Sequence, residues 1–108
     1  MPTLNWIGKD AVVNHHHQVP FHLLKDVPEL SCGDPGSGNL IVQGDNLVAL
    51  KALLPYYAGQ VKCIYIDPPY NTDASAICYK NGYKSSSWSS LMYDRLNLSR
   101  SLLTNSGV

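Results

Sequence analysis

The segment with the clearest potential for chemistry is Asp67-Pro68-Pro69-Tyr70. Methylating an exocyclic amine of a nucleobase is difficult because the nitrogen lone pair is delocalised into the ring. Acceptors for the amine hydrogens localise that pair, and both the Asp67 carboxylate and the Pro68 carbonyl are suitable, since prolines fix the backbone rigidly. The ring of Tyr70 offers a surface for base stacking, which is worth about 1–3 kcal/mol. These residue types indicate a site for the amino group of a base flipped out of a duplex.

The same residues also permit a purely structural interpretation. A residue before proline prefers extended backbone, so this segment would form a stiff turn at the end of a strand. A ligand for WW domains is excluded by spacing, because that pattern has one residue between the second proline and the tyrosine. The chemical interpretation needs no metal ion, because methyl transfer from a sulfonium donor proceeds directly to the amine.

Asp45 is a second acidic residue in a position suited to ligand binding. It follows the apolar run Leu40–Val42, and Asp67 follows the run Val61–Ile66, and both runs predict buried strands. Ligands of open α/β sheets bind beyond the carboxyl ends of strands, and neighbouring strands lie about 4.8 Å apart, so the two carboxylates are expected in one crevice. Asp45 also stands where a helix N-cap belongs, and the capping and binding roles are compatible.

The apolar pattern around these acids predicts a strand, a helix and a second strand. Such a unit assembles by default as parallel strands with a right-handed crossover, so the predicted fold class is α/β. The helix is expected to end at Pro55 and to bury one leucine face, formed by Leu47, Leu50, Leu53 and Leu54. Cys63, in the second strand, is expected to be a small core residue.

A loop and another helix are predicted after the second strand. The polar stretch Asn71–Ser87 is expected to form a long loop of the kind that often covers a binding site. A helix with a serine cap is expected from Trp88 to Leu103, and its buried stripe would be Trp88, Met92, Leu96, Leu102 and Leu103. Val108 would open a third strand, so the predicted sheet is incomplete within these residues.

The N-terminal part, residues 1–38, is expected to be an irregular or partly helical lead-in to a domain at 39–108. Four histidines there raise the question of a metal site: His15, His16, His17 and His22. Adjacent histidines cannot all face one ion and no acidic or cysteine partner stands at ligand spacing, so a solvated or packed loop is favoured. The turn cluster Cys32–Asn39 precedes a strand instead of following one, which favours a connection over a phosphate cradle.

The composition limits the possible partners. Eight Lys and Arg balance eight Asp and Glu in 108 residues, whereas a self-sufficient DNA-binding protein usually has a basic surplus. DNA recognition is therefore expected to lie mostly outside this segment. Three widely spaced cysteines, Cys32, Cys63 and Cys78, form no zinc or redox motif. No apolar stretch or signal pattern suits a membrane, so a cytoplasmic location is expected.

Longer stretches of the sequence resemble a known family. The Asp-Pro-Pro-Tyr segment is similar to the catalytic loop of DNA amino-methyltransferases. The modification (Mod) subunits of type III restriction–modification systems are similar over most of the chain, through Leu40–Leu54, Ile64–Thr72, Met92–Leu96, Trp6–Lys9 and Val13–His16.

The resemblance implies a Rossmann-like sheet, S-adenosylmethionine as the methyl donor, and adenine N6 of double-stranded DNA as the acceptor. It implies catalytic roles for Asp67, Pro68, Pro69 and Tyr70. Tyr70 and Asn71 would contact the flipped adenine, and Asp45 would lie beside S-adenosylmethionine.

The chain departs from this family in two respects. It contains neither the F-x-G-x-G loop that binds the methyl donor nor a target recognition domain, and both are expected to follow in a missing C-terminal part. A restriction subunit and a second Mod subunit would bind through those missing regions. Two alternatives remain: an inactive truncated remnant of such an enzyme, and an enzyme that methylates cytosine N4, RNA or a protein amide with the same loop.

Overall fold

The computed structural model describes residues 1–70 and 84–108. The regular elements are four α-helices: α1 (Lys9–Val12), α2 (His15–Gln18), α3 (Asn46–Tyr57) and α4 (Lys84–Leu102). Single 3₁₀ turns lie between α2 and α3, at Pro28–Leu30 and Pro35–Ser37. The two long helices pack against each other, and the two short helices pack on α4.

Helix α3 begins at a strong capping residue. The Asp45 carboxylate accepts hydrogen bonds from the backbone N–H groups of Leu47 at 2.9 Å and Val48 at 3.3 Å, which confirms the capping role. The prediction that Pro55 ends the helix was wrong, because α3 continues to Tyr57. A proline close to the C-terminus removes one N–H bond only, and the next turn still closes through the N–H of Ala58 and the carbonyl of Leu54 at 3.1 Å.

Helix α4 begins earlier and is rotated relative to the predicted helix. It starts at Lys84, so the last four residues of the predicted loop Asn71–Ser87 are helical; residues 71–83 lie outside the described part. The predicted stripe was partly wrong, since Leu96 is 50% exposed. Met92 and Leu102 of that stripe are buried as predicted, and Asp94 and Leu98, which were not in it, are buried as well.

The predicted parallel sheet, and with it the α/β fold class, was wrong. The described residues contain no strand, and their only β-bridge is a parallel one between Val61 and Leu103. Val108 exchanges hydrogen bonds with Lys62 (3.0 Å) and Ile64 (2.8 Å), but this contact does not form a strand. Leu40–Val42 has no regular secondary structure and no pairing partner among the described residues, and Ile41 is fully exposed. A β-strand gains most of its stability from neighbouring strands, and the described residues supply none for this segment.

The core lies between the helices. Its centre is Leu98 of α4, which contacts Leu47 of α3 and Val19 after α2, with Val48, Leu50 and Leu54 packed around them. The predicted leucine face of α3 therefore does contribute to the core. Cys63 is exposed, which corrects its predicted place in the core.

Two backbone positions depend on glycine. Gly59, after α3, has a φ of 68°, a left-handed conformation that other residues rarely adopt. A side chain at Gly107 would lie 2.9 Å from the carbonyl oxygen of Val61 and 2.9 Å from Leu103. Glycine therefore lets the segment after α4 pass close to the backbone that leads to Asp67.

Among the helices of residues 1–70 and 84–108, none combines the length and the apolar character needed to cross a membrane.

Candidate functional site

The Asp67–Tyr70 loop follows the extended segment 61–66 and lies at the protein surface. Asp67 and Tyr70 are exposed, with Tyr70 at 71%, whereas Pro68 and Pro69 are half-buried. The Tyr70 hydroxyl donates a hydrogen bond to Oδ1 of Asp67 at 2.7 Å. The loop thus brings a carboxylate and a tyrosine side chain together, with the two prolines between them in the sequence.

The contact between these two side chains changes the acidity of the tyrosine. The hydrogen bond to the Asp67 carboxylate, followed by the negative charge of that group, raises the pKa of Tyr70. Tyr70 therefore keeps its proton at neutral pH and remains a donor. Its hydroxyl bonds to Oδ1 of Asp67, and Oδ2 accepts no hydrogen bond from the described residues.

The loop is held to α4 through a backbone carbonyl. The indole Nε1–H of Trp88 donates to the carbonyl oxygen of Pro69 at 2.5 Å. The carbonyl of Pro68, the predicted second acceptor, receives no hydrogen bond from the described residues. The sequence places Trp88 in an apolar stripe and does not reveal this bond, because periodicity shows which face is buried and not which polar atom pairs.

Asp45 is linked to α4 by a different contact. Its Oδ1 caps α3, and its Oδ2 lies 3.5 Å from a guanidinium nitrogen of Arg95. Arg95 also donates to the side-chain oxygen of Asn46 and to the carbonyl of Leu91. Within the described part of the chain, no hydrogen bond or ion pair joins Asp45 to the Asp67–Tyr70 loop. Arg95 was missed as a functional candidate, although it lies in the Met92–Leu96 segment.

Asn71, which the resemblance assigns to substrate binding, lies outside the described residues.

Helix α4 also binds the N-terminal segment through polar contacts. Nδ1 of His15 lies 2.7 Å from Oδ2 of Asp94, whose residue is only 3% exposed. The indole N–H of Trp6 donates to Ser90 at 2.9 Å, and its ring stacks at a tilt on Tyr93. His15 therefore serves as the partner of a buried carboxylate. Residues 1–70 and 84–108 hold no cluster of three or more potential metal ligands.

The surroundings of His16 in this packing disfavour its protonated form. Burial lowers the pKa of His16 first, helped by the charges of His17, Lys51 and His15, while Asp94 opposes the shift. Lys51 is itself buried, donates to the His16 carbonyl at 3.0 Å and lies over the Phe21 ring.

We expect the free energy of unfolding to fall as the pH drops below 6.5, the ordinary pKa of histidine. The folded pKa is lowered, so below pH 6.5 the unfolded state binds the proton more readily, and stability is complete only above that pH. Urea unfolding at pH 7.5 and 5.5 should show a smaller pH effect in His16→Gln than in the wild type. His22→Gln, at an exposed position, is the control, and an equal reduction in both variants would contradict the assignment.

Asp45→Ala should lower the free energy of unfolding by about 0.5–2 kcal/mol, because the N-terminal N–H groups of α3 lose their cap. The Arg95 contact adds little, because the Asp45 side chain is 60% exposed. Asp45→Asn is a matched control, because asparagine caps as well as aspartate. Thermal unfolding should therefore rank the wild type and Asp45→Asn together above Asp45→Ala, and an equal loss in both variants would contradict the capping role.

The comparisons with known proteins agree on one family. The chain is 41% identical over 83 residues to the probable type III restriction-modification enzyme HindVI Mod subunit of Haemophilus influenzae, an alignment covering 77% of this chain and 11% of that protein. It is 30% identical over 138 residues to the EcoPI Mod subunit of Escherichia phage P1, covering 98% and 21%. The StyLTI Mod subunit of Salmonella typhimurium is 34% identical over 136 residues, covering 96% and 21%.

The chain spans only about a tenth to a fifth of the length of these curated relatives. No family model matches it, and no solved structure matches it. The similarity nevertheless covers 77–98% of its own residues in each of these alignments. The chain therefore belongs, as a segment, to the family of type III restriction–modification Mod subunits.

Proposed function

We propose that the protein carrying this chain transfers a methyl group from S-adenosylmethionine to N6 of adenine in DNA, as the modification component of a type III restriction–modification system. The observation that carries this proposal is the pairing of Asp67 with Tyr70 in an exposed, proline-stiffened loop. The similarity to Mod subunits along most of the chain supports the same substrate class.

The loop residues have distinct roles in this reaction. Oδ2 of Asp67 accepts one hydrogen of the adenine amino group, and the Pro68 carbonyl accepts the other. Both contacts localise the nitrogen lone pair on N6, which makes that nitrogen a better nucleophile. Tyr70 stacks on the flipped base, and its hydroxyl holds the Asp67 carboxylate in place through the bond at 2.7 Å.

When bound, S-adenosylmethionine would supply an electrophilic methyl group to the amine nitrogen, and the electrons of its broken S–C bond would stay on the departing neutral sulfur. The amine nitrogen then loses one proton through Asp67 to solvent. Electrostatic contacts of this kind are worth most when they are already in place before the reaction.

Asp45 suits part of the methyl donor. Its Oδ2 remains accessible beside the start of α3, and carboxylate oxygens match the hydroxyl groups of a ribose. The other carboxylate oxygen, Oδ1, caps α3, so Asp45 offers one acceptor oxygen to a ligand and not two. We therefore assign Asp45 a single contact to S-adenosylmethionine.

The test is product analysis. The protein, at the length its gene encodes, is incubated with methyl-labelled S-adenosylmethionine and unmethylated DNA, RNA or protein, and the products are digested and separated. Labelled N6-methyladenine from DNA alone is the expected result. Label in N4-methylcytosine, RNA or glutamine would support the other amino-methylation reactions, and no label with any substrate would support an inactive remnant.

A further inference from the structure

The hydrogen bond between the Trp88 indole and the Pro69 carbonyl joins the exposed Asp67–Tyr70 loop to helix α4. Trp88 lies in the second turn of α4, and the same helix buries Leu98 and binds the N-terminal segment through Ser90 and Asp94. Within the described residues, the Trp88 indole is the only group outside the loop that hydrogen-bonds to it. Among the described residues, one side chain outside the loop therefore restrains its backbone.

The acceptor of this bond, the Pro69 carbonyl, lies one residue after the Pro68 carbonyl that is predicted to accept a hydrogen of the amine. Pro69 follows directly after Pro68, whose carbonyl accepts no hydrogen bond from the described residues. Proline fixes φ, so holding the Pro69 carbonyl leaves the neighbouring peptide group little freedom to rotate. The same restraint limits the positions from which Tyr70 reaches Asp67.

We propose that Trp88 is a positioning residue, which holds the Pro69 carbonyl so that Asp67 and the Pro68 carbonyl meet the same amine. This inference rests on the proposed function, because the amine is the group to be methylated. A role in packing alone would predict that the shape of the indole matters and its N–H does not. Trp88→Phe separates the two roles, because phenylalanine keeps an aromatic ring and removes only the donor.

The chain offers a matched control. Trp6 also donates its indole N–H to α4, at Ser90, with a length of 2.9 Å. Trp6→Phe therefore removes the same kind of bond from the same helix at a place that does not contact the loop. Both variants are first checked for helical content by circular dichroism, and the pKa of Tyr70 is then followed by NMR with ring-labelled tyrosine.

Trp88→Phe should return the pKa of Tyr70 toward the ordinary value for tyrosine, since the loop no longer holds Tyr70 against Asp67, while Trp6→Phe should leave it raised. In the protein at the length its gene encodes, Trp88→Phe should lower kcat about tenfold, the effect of one hydrogen bond. The KM for S-adenosylmethionine should change less than about twofold. An unchanged Tyr70 pKa in a folded Trp88→Phe variant, or the same change in both variants, would overturn the inference.

A measurement on the wild type covers the case in which Trp88→Phe does not fold. The chain has two tryptophans, so its indole N–H groups give two NMR signals, and Trp6→Phe assigns them. The Trp88 indole hydrogen should exchange with solvent at least about tenfold more slowly than in an unfolded peptide, and exchange at the peptide rate would overturn the inference. Neither this measurement nor the Tyr70 titration requires methyl transfer. The role of Trp88 can therefore fail its test while the proposed methylation stands, and the proposed methylation can fail while the role of Trp88 stands.

Discussion

Asp67→Asn is expected to lower the rate of methyl transfer about a hundred- to a thousandfold without changing the stability of the fold. The substitution keeps the size of the side chain and removes the negative charge that holds an amine hydrogen. Removing one preorganised electrostatic contact from a transition state has an effect of this order. The side chain is exposed, so folding does not depend on it. Methyl transfer and thermal unfolding, measured on the same preparation, test both statements.

Two further results separate this effect from a general loss of charge. Asp26→Asn, which neutralises another exposed carboxylate, should keep the wild-type rate. The pKa of Tyr70, raised by its hydrogen bond to Asp67, should fall in Asp67→Asn and stay raised in Asp26→Asn. Wild-type turnover in a folded Asp67→Asn variant would remove Asp67 from the reaction.

Leu98→Ala is expected to have the largest effect on stability, a loss of about 2–5 kcal/mol in the free energy of unfolding. Leu98 is 2% exposed and is the centre of the core. The substitution removes buried methyl groups and leaves a cavity between α3 and α4. Because small domains are stable by only about 5–15 kcal/mol, a large part of the population would unfold at moderate temperature. Urea unfolding measures the loss directly.

Leu96→Ala is the matched control on the same helix. Leu96 is 50% exposed, so its truncation should lower the free energy of unfolding by less than about 1 kcal/mol. Equal losses at both positions would contradict an orientation of α4 in which Leu98 faces the core and Leu96 faces solvent.

The residues of the Asp67–Tyr70 loop were identifiable from the sequence because they are consecutive, and their role in chemistry stays a prediction. Asp67 and Tyr70 are three residues apart with two rigid prolines between them, so their side chains lie within reach of each other. The cap at Asp45 was predictable for the same reason, since its partners lie two and three residues away. Local contacts of this kind follow from residue type and spacing.

The orientation of α4 was not predictable from apolar periodicity. Asp94 and Leu98 are four residues apart and share the buried face, but a carboxylate is normally counted as exposed. One oxygen of this carboxylate is paired with His15, which is 79 residues away in the chain. Long-range polar pairs leave no periodic signal in the sequence. The prediction therefore placed Leu96, and not Leu98, on the buried face of α4.

The predicted sheet failed for a related reason. Runs such as Leu40–Val42 and Val61–Ile66 have the composition of buried strands, but strand composition expresses a preference that is realised only beside other strands. In the described residues, the pairing is limited to the bridge between Val61 and Leu103 and the contacts of Val108. The acids Asp45 and Asp67 are consequently not joined at one sheet edge. Asp45 contacts Arg95 of α4, whereas the loop that carries Asp67 is bound to α4 through the Pro69 carbonyl and Trp88.

The most direct test of the central claim is to locate methylated bases in DNA. The gene is expressed at its full length in a bacterial host that has no adenine methylation, and the host genome is read by single-molecule sequencing. We predict N6-methyladenine at one short recurring sequence, and its loss when Asp67 is replaced by Asn. A genome without modified adenine, in cells that contain the folded wild-type protein, would contradict the claim that this loop methylates adenine.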